Sequence, residues 1–356
     1  MSGPLTLVTG GAGFIGSNLA HQLLSMGRKV RILDNLSRPG VEQNLEWLRE
    51  QHGSALEVVV GDVRDEVAVQ QAVAGTAQVF HFAAQVAVTT SLVDPRTDFA
   101  TNAQGTLNVL EAVRARPAPP FFLMTSTNKV YGDLADLALQ PVGPHYQPLD
   151  LSIQARGVAE SRPLDFHSPY GCSKGAADQY ALDYARSYGL CTVVFRMSCI
   201  YGPRQFGTED QGWVAHFLLR ALQGEPITIY GDGRQVRDIL FVEDLVHAFL
   251  LAEQNGRALA GRAFNIGGGP RNAISLLDLL ERIEALEGCP AAVSFADWRT
   301  GDQRYYVSDT RAYEQATGWR PRVSARAGIA RLHTWLNAHR RPPAPQPPRL
   351  RAAAAH

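Results

Sequence analysis

In "SPYGCSK" a tyrosine and a lysine stand four residues apart, Tyr170 and Lys174. On a helix that spacing puts both side chains on one face. A phenol near pKa 10 is a poor base at neutral pH, and an ammonium one turn away stabilises its phenolate. Such a pair can take a proton from a hydroxyl and return it. A surface tyrosine–lysine contact has the same spacing, so composition adds weight: only three of the chain's 34 lysines and arginines are lysine. A compact ammonium suits this role, whereas a broad guanidinium fits it poorly. Another of the three, Lys129, lies in "MTSTNKVYGD" (124–133) beside Ser126, Thr127 and Asn128. By sequence, Lys129 either touches a substrate or anchors the loop that follows.

These groups need a frame. The first half alternates apolar strand-like runs, "LTLVTG" (5–10), "KVRILD" (29–34), "LEVVVGD" (56–62), "QVFHFAA" (78–84) and "PFFLMTS" (120–126), with helical segments at about 13–26, 65–74 and 98–115. That repetition predicts right-handed crossovers, hence an α/β Rossmann-type, doubly wound parallel sheet. Four prolines and no sustained period make 134–168 a long excursion near the substrate. A helix at about 169–188 and the strand "CTVVFRMS" (191–198) complete a dinucleotide-binding domain over 1–199. Residues 200–338 read as a smaller mixed α/β, mainly substrate-binding domain interleaved with the sheet. The Pro- and Ala-rich stretch 339–356 reads as a disordered tail.

"TGGAGFIGSNL" follows the first strand and opens a helix. Gly10, Gly13 and Gly16 allow a tight turn, close approach of backbone to a pyrophosphate, and helix–strand packing, with Phe14 and Ile15 between them. Asp34 ends the second strand, where a carboxylate accepts from both ribose hydroxyls and repels a 2′-phosphate. This favours NAD over NADP, with Asn35 and Arg38 close by. Asp62 and Val63 follow the third strand, where Asp62 could hold the adenine amino group. Small Ala83 and Ala84, with Gln85, end the fourth and leave room for a cofactor. Taken singly, Asp62 also fits a helix cap and the alanines also fit packing.

The net charge is zero, so no global field favours nucleic acid or an anionic membrane. No apolar run reaches the roughly 18 residues of a membrane span, and no metal-ligand spacing occurs. Four scattered cysteines without a CxxC pair, and no signal-peptide pattern, fit a reducing cytoplasm.

With the glycine turn and YxxxK in order, the chain resembles the extended short-chain dehydrogenase/reductase superfamily and its NAD-dependent epimerase/dehydratase family, from Leu5 to about Trp335. The resemblance implies that Tyr170 is the general base and acid and that Lys174 also holds the nicotinamide ribose. It implies that Thr127 bonds the substrate hydroxyl, Ser126 lies beside the nicotinamide, and Asn102 supports the site. "YGPRQ" (201–205), "YGDGRQVRDILFVEDL" (230–245) and "NIGGG" (265–269) resemble its sugar-nucleotide branch. There Arg237 looks like the arginine that clamps the substrate diphosphate, and Arg304 in "GDQRYYVSDT" looks like a second. Alone, either also fits a structural ion pair. Gln85, Asn128 and Gln211 are the remaining expected substrate contacts. Cys199 stands where the family often has an asparagine on the diphosphate.

Dehydratases of this family carry Asp-Glu after the hydroxyl residue, where this chain has Asn128 and Lys129. Elimination is therefore disfavoured. "STNKVYGD", "DFHSPYGCSKGAADQYALDYAR" and "GPRQFGTEDQGWVAHF" are similar to 2-epimerases of CDP-hexoses. That implies inversion at C2, CDP-paratose to CDP-tyvelose or a related CDP-sugar, through a transient 2-keto sugar with NAD tightly bound. A UDP-sugar 4-epimerase, a nucleotide-sugar dehydratase and a non-catalytic NAD-binding regulator are the alternatives. The resemblance also implies a homodimer, with helices near 99–114 and 170–187 pairing across a two-fold as a four-helix bundle.

Overall fold

A computed structural model describes residues 4–299 and 301–339, so the expected tail lies, beyond His339, outside the described residues. Seven strands form one parallel sheet: β1 (Leu5–Thr9), β2 (Lys29–Asp34), β3 (Leu56–Val60), β4 (Thr76–His81), β5 (Phe121–Thr127), β6 (Thr192–Met197) and β7 (Arg262–Ile266). Their order is β7–β6–β5–β4–β1–β2–β3. β5 and β6 are buried along nearly their whole length because helices cover both faces, which is why they read as continuous apolar runs. The order reverses between β1 and β4, and a doubly wound sheet binds its ligand at the carboxyl ends of the strands flanking that point. The register brings those ends level, pairing Thr9 with Leu33 and with His81, and Thr127 with Met197.

The chain departs from the sequence reading at four places, one of them an additional short helix, Val88–Val93, after β4. Val41–His52 between β2 and β3 was not anticipated. Its buried positions, Val41, Asn44, Leu45 and Leu48, have helical spacing, but the rest is charged or polar and no side chain caps its start. The helix expected at 98–115 is broken into Pro95–Phe99, a π-turn at Ala100–Gln104 and Gly105–Arg114. Such bulges turn a side chain off the regular face, and this one carries Asn102. The 134–168 excursion holds an antiparallel hairpin, Leu139–Val142 with His145–Pro148, and a short helix, Leu151–Arg156, capped by Asp150.

After β6 the chain builds a second layer. Val236–Phe241 pairs with Cys199–Tyr201, Ala273–Ser275 and Tyr305–Tyr306, while Ile227–Tyr230 pairs with Val293–Ala296. Helices Trp213–Leu222, Leu276–Glu287 and Ala325–Ala338 enclose an apolar cluster that includes Phe217, Leu218, Ile239, Leu279 and Leu332. Between these pieces β7 returns to the edge of the central sheet. Among the described residues, no helix is long and apolar enough to cross a membrane.

Candidate active site

A cavity of about 1160 Å³ runs from the carboxyl ends of β1 and β2 across β5 to the second layer. At its first end the chain turns sharply after β1. Gly10 has a positive φ of 66°, and a Cβ on Gly16 would lie 2.3 Å from the Gly10 carbonyl oxygen, so side chains are excluded at this approach. Gly13 precedes helix Phe14–Ser25, and no side chain caps that helix. Phe14, Ile15 and Gly16 of its first turn line the cavity, and the free amides of a helix start can seat an anion.

Asp34 accepts the Ala12 amide at 2.9 Å on one oxygen and the Leu36 amide at 2.9 Å on the other, which fixes the carboxylate at the wall. Burial raises its pKa against those bonds and the nearby Arg38 guanidinium, whose own pKa burial lowers. Asp62 accepts from Asn35 at 2.9 Å and is gripped by Arg64, which holds its carboxyl well below the usual range. Asp62 therefore presents an already engaged carboxylate to the cavity. Val63, Ala83, Ala84 and Gln85 also line it.

In the middle, helix Ser168–Tyr188 carries Tyr170 and Lys174 to the end of β5. Burial pushes the Tyr170 phenol up to about 12, opposed by its hydrogen bond with Thr127. Burial lowers the Lys174 ammonium to about 8, against the pull of Asp178 and Asp98. Its Nζ donates to the Thr125 carbonyl at 2.6 Å. Ser126 Oγ is buried, faces the cavity and has no partner. A phenol next to a hydroxyl, with a cation one turn below, can exchange a proton with a bound alcohol.

A buried polar chain supports this centre. The Thr106 hydroxyl donates to the Asn102 carbonyl at 2.6 Å, so His81 Nε2 donates to Thr106 at 3.0 Å and Nδ1 accepts from Thr9 at 2.7 Å. Burial beside Lys174 lowers the His81 pKa to about 3, in keeping with this neutral tautomer. Asn102 exchanges hydrogen bonds with the Gln85 backbone and donates to Asp98 at 3.1 Å, and Asp98 accepts from Ser173 at 2.5 Å. Asn102 is thus fully engaged and does not line the cavity. Asn102 meets the site through the Gln85 backbone and the Ser173 turn.

At the far end Arg237, on Val236–Phe241, donates to Asp302 Oδ1 at 2.7 Å. Lys129 Nζ donates to the Gly301 carbonyl at 2.9 Å and lies 3.8 Å from the same Asp302 oxygen. Asn128 lines the cavity, but its amide donates to Gln303 Oε1 at 2.9 Å. Gln211 also lines this end. Arg304 does not. It is exposed and faces the rings of Trp298 and Tyr146, 5.2 and 5.7 Å away. The loop leading to Tyr305–Tyr306 turns Gln303 inward and Arg304 outward, which overturns the expectation of Arg304 in the cavity.

Sequence reasoning passed over other walls. Among the described residues, Thr89, Gln205 and Gln235 each hold a buried, unpartnered polar atom and line the cavity, as do the expected Gln85 and Ser126. Gln205 and Gln235 stand inside "YGPRQ" and "YGDGRQ", so the signal was present, whereas nothing in its sequence surroundings marks Thr89.

The chain matches the NAD dependent epimerase/dehydratase family over residues 6–267. It belongs to that family. It is 45% identical over 340 residues to a CDP-paratose 2-epimerase of Salmonella typhi, covering 93% of this chain and 98% of the relative. It superposes with a TM-score of 0.80 and 32% identity on a UDP-glucose 4-epimerase of Thermotoga maritima solved with UDP-glucose, over 94% of this chain and 99% of that one. The Thermus thermophilus UDP-glucose 4-epimerase complex with NAD gives 0.78 and 32%, over 94% and 99%. Family membership makes NAD the cofactor, and the cavity fits it: a glycine cradle that any Cβ would fill, an uncapped helix start, and a carboxylate fixed at the end of β2.

Proposed function

We propose that the protein is an isomerase, an NAD-dependent 2-epimerase of a CDP-linked hexose, with CDP-paratose and CDP-tyvelose as the favoured pair. The observation that carries it is the state of the carboxylate at the Lys129 end. An elimination needs an acid and a carboxylate base beside the sugar, but Asn128 and Lys129 occupy those positions and Asp302 is neutralised by Arg237 and Lys129. The 45% identity over nearly the whole chain supports C2 and a cytidine nucleotide over C4 and uridine.

In this reading Gly10, Gly13 and Gly16, with the amides of Phe14 and Ile15, hold the pyrophosphate of NAD. Asp34 and Asn35 take a ribose, with Arg38 packed beside it. Asp62 and Val63 flank adenine, and Ala83, Ala84, Gln85 and Ser126 border the nicotinamide. Bound there, NAD supplies the acceptor and donor of hydride. Thr127 orients the C2 hydroxyl, and Tyr170 takes its proton as the C2–H bond breaks and the carbonyl forms. Lys174 holds the ribose and stabilises the phenolate. After the keto sugar presents its other face, Tyr170 returns the proton to the oxygen as the C–H bond re-forms. Arg237 holds the diphosphate, and Gln85 and Gln211 face the sugar nucleotide. In this reading the protein works in the cytoplasm as a homodimer through the helical stretch near 99–114 and helix Ser168–Tyr188, which the exposed Phe99, Tyr180 and Tyr188 support.

The test is incubation with CDP-paratose, CDP-glucose, UDP-glucose and GDP-mannose in deuterated water, followed by NMR of the sugar protons. Inversion at C2 of a CDP-sugar with no deuterium at C2 is expected. Deuterium at the inverted carbon overturns the keto route, and inversion at C4 of UDP-glucose alone overturns the substrate.

A further inference from the structure

Two cations and one carboxylate meet at the Arg237 end of the cavity. Arg237 Nη2 and Lys129 Nζ converge on the same oxygen, Asp302 Oδ1, at 2.7 and 3.8 Å. Asp302 keeps a quarter of its side chain exposed and Lys129 about a fifth, and both line the cavity. The cluster therefore carries an excess positive charge in a space open to ligand. Cys199 Sγ, which also lines the cavity, already accepts from Trp213 Nε1 at 3.4 Å. Arg304 is turned outward behind Trp298.

We infer that Lys129 and Arg237 together form the seat of the substrate diphosphate, with Asp302 as an internal counter-ion that the diphosphate displaces. The inference rests on the proposed nucleotide-sugar substrate and deepens it by assigning a second phosphate-binding cation. A diphosphate brings about two negative charges where Asp302 brings one, and charge-assisted bonds to phosphate oxygens are the strong ones. The Lys129 backbone donates to Thr127 Oγ1 at 3.2 Å, so the seat is joined to the catalytic hydroxyl by two residues of chain. The Asn128–Gln303 bond and the bond from Gln303 Nε2 to the Gly132 carbonyl, at 2.9 and 2.7 Å, hold the 301–303 segment in place while Asp302 swings clear.

The sign of the Asp302 effect tests this against a purely structural clasp. NAD-loaded parent, Lys129→Met, Lys129→Arg and Asp302→Asn proteins are titrated calorimetrically with CDP, UDP and cytidine. Loss of one charge-assisted bond should make Lys129→Met weaken the preferred diphosphate about ten- to a hundredfold, with Lys129→Arg within about threefold of the parent. Asp302→Asn should tighten it about three- to tenfold, because a competing anion is gone while both cations remain. Cytidine, which has no phosphate, should bind all four proteins alike. Weaker diphosphate binding by Asp302→Asn, or equal losses for CDP and cytidine in Lys129→Met, overturns the seat and leaves a structural clasp. A preference for UDP with the opposite shifts intact overturns the cytidine reading and keeps the seat. No binding of either diphosphate to the parent overturns both.

Discussion

At the β1–β2 end of the cavity, each oxygen of Asp34 accepts a backbone amide, from Ala12 or Leu36, and the glycine turn leaves no room for a side chain. At the Arg237 end, one oxygen of Asp302 is shared by two cations, and Gln235 holds an unpartnered oxygen. The first end is a preformed cast, with partners supplied by backbone and by the Thr9–His81–Thr106–Asn102 chain. The second end is held by groups that a ligand can replace. A buried polar atom without a partner costs roughly 1–3 kcal/mol, a cost that bonding to a ligand removes. The difference follows the catalytic cycle. A cofactor that finishes as it began can stay in a fixed mould, but a sugar nucleotide must enter, turn and leave.

Tyr170 stands at the seam, and removing its hydroxyl gives the largest expected effect. Tyr170→Phe should lower turnover by roughly two to four powers of ten. NAD content by absorbance and CDP affinity by calorimetry should stay at parental levels, because no bond that fixes Asp34, the glycine turn or Asp302 involves the phenol. Loss of bound NAD in this variant would show that the two ends are not separable.

The same contrast decides how much could be read from sequence. The cast is local: glycine spacing, a carboxylate at a strand end and small residues after a strand each lie within one βα unit. The strands and most helices of the first half were legible for that reason. Val41–His52 escaped because four inward residues amid charges give a weak period. The hairpin at 139–148 was hidden by its own prolines, Pro141 and Pro148 in the strands and Pro144 in the turn. The substrate end depends on contacts across long stretches of chain. Lys129 reaches Gly301 and Asp302, and Asn128 reaches Gln303. No local pattern reports such pairs, and for an irregular loop no period tells which of Gln303 and Arg304 points inward.

The cast can be stressed by acid. His81 is buried as the neutral ring, donating from Nε2 to Thr106 and accepting at Nδ1 from Thr9, with the Lys174 ammonium nearby. Its pKa is about 3 in the folded chain against 6.5 for an exposed ring. Below pH 6.5 the unfolded chain therefore binds a proton that the folded chain refuses, and stability falls as pH falls through the window from 6.5 to 3. The slope from this one group is about 1.4 kcal/mol per pH unit, or about 2 kcal/mol by pH 5. Urea unfolding of the NAD-loaded protein at pH 7 and pH 5 measures it. In His81→Gln that difference between the two pH values should shrink by about this amount, whatever the substitution costs at neutral pH. An unchanged difference would mean that the imidazole is free to ionise and the chain through Asn102 is not closed.

The smallest expected effect separates two arginines that sequence alone treats alike. Arg237 is buried, lines the cavity and bonds Asp302. Arg304 is exposed and faces Trp298 and Tyr146 at more than 5 Å, a contact that contributes roughly 0.5–1 kcal/mol. Its influence on substrate passes only through Trp298, whose ring borders the cavity and lies against Gly231. That glycine contact persists when Arg304 is removed, so the ring keeps its place. Arg304→Ala should change KM by less than about threefold and leave kcat untouched. Arg237→Ala should raise KM by about tenfold or more, since it removes a cation that bonds charged oxygens. Steady-state kinetics on the two variants side by side read the ratio. Equal losses would mean that Arg304 swings into the cavity when substrate arrives, and that the far end is reshaped by its ligand beyond the exchange of one carboxylate.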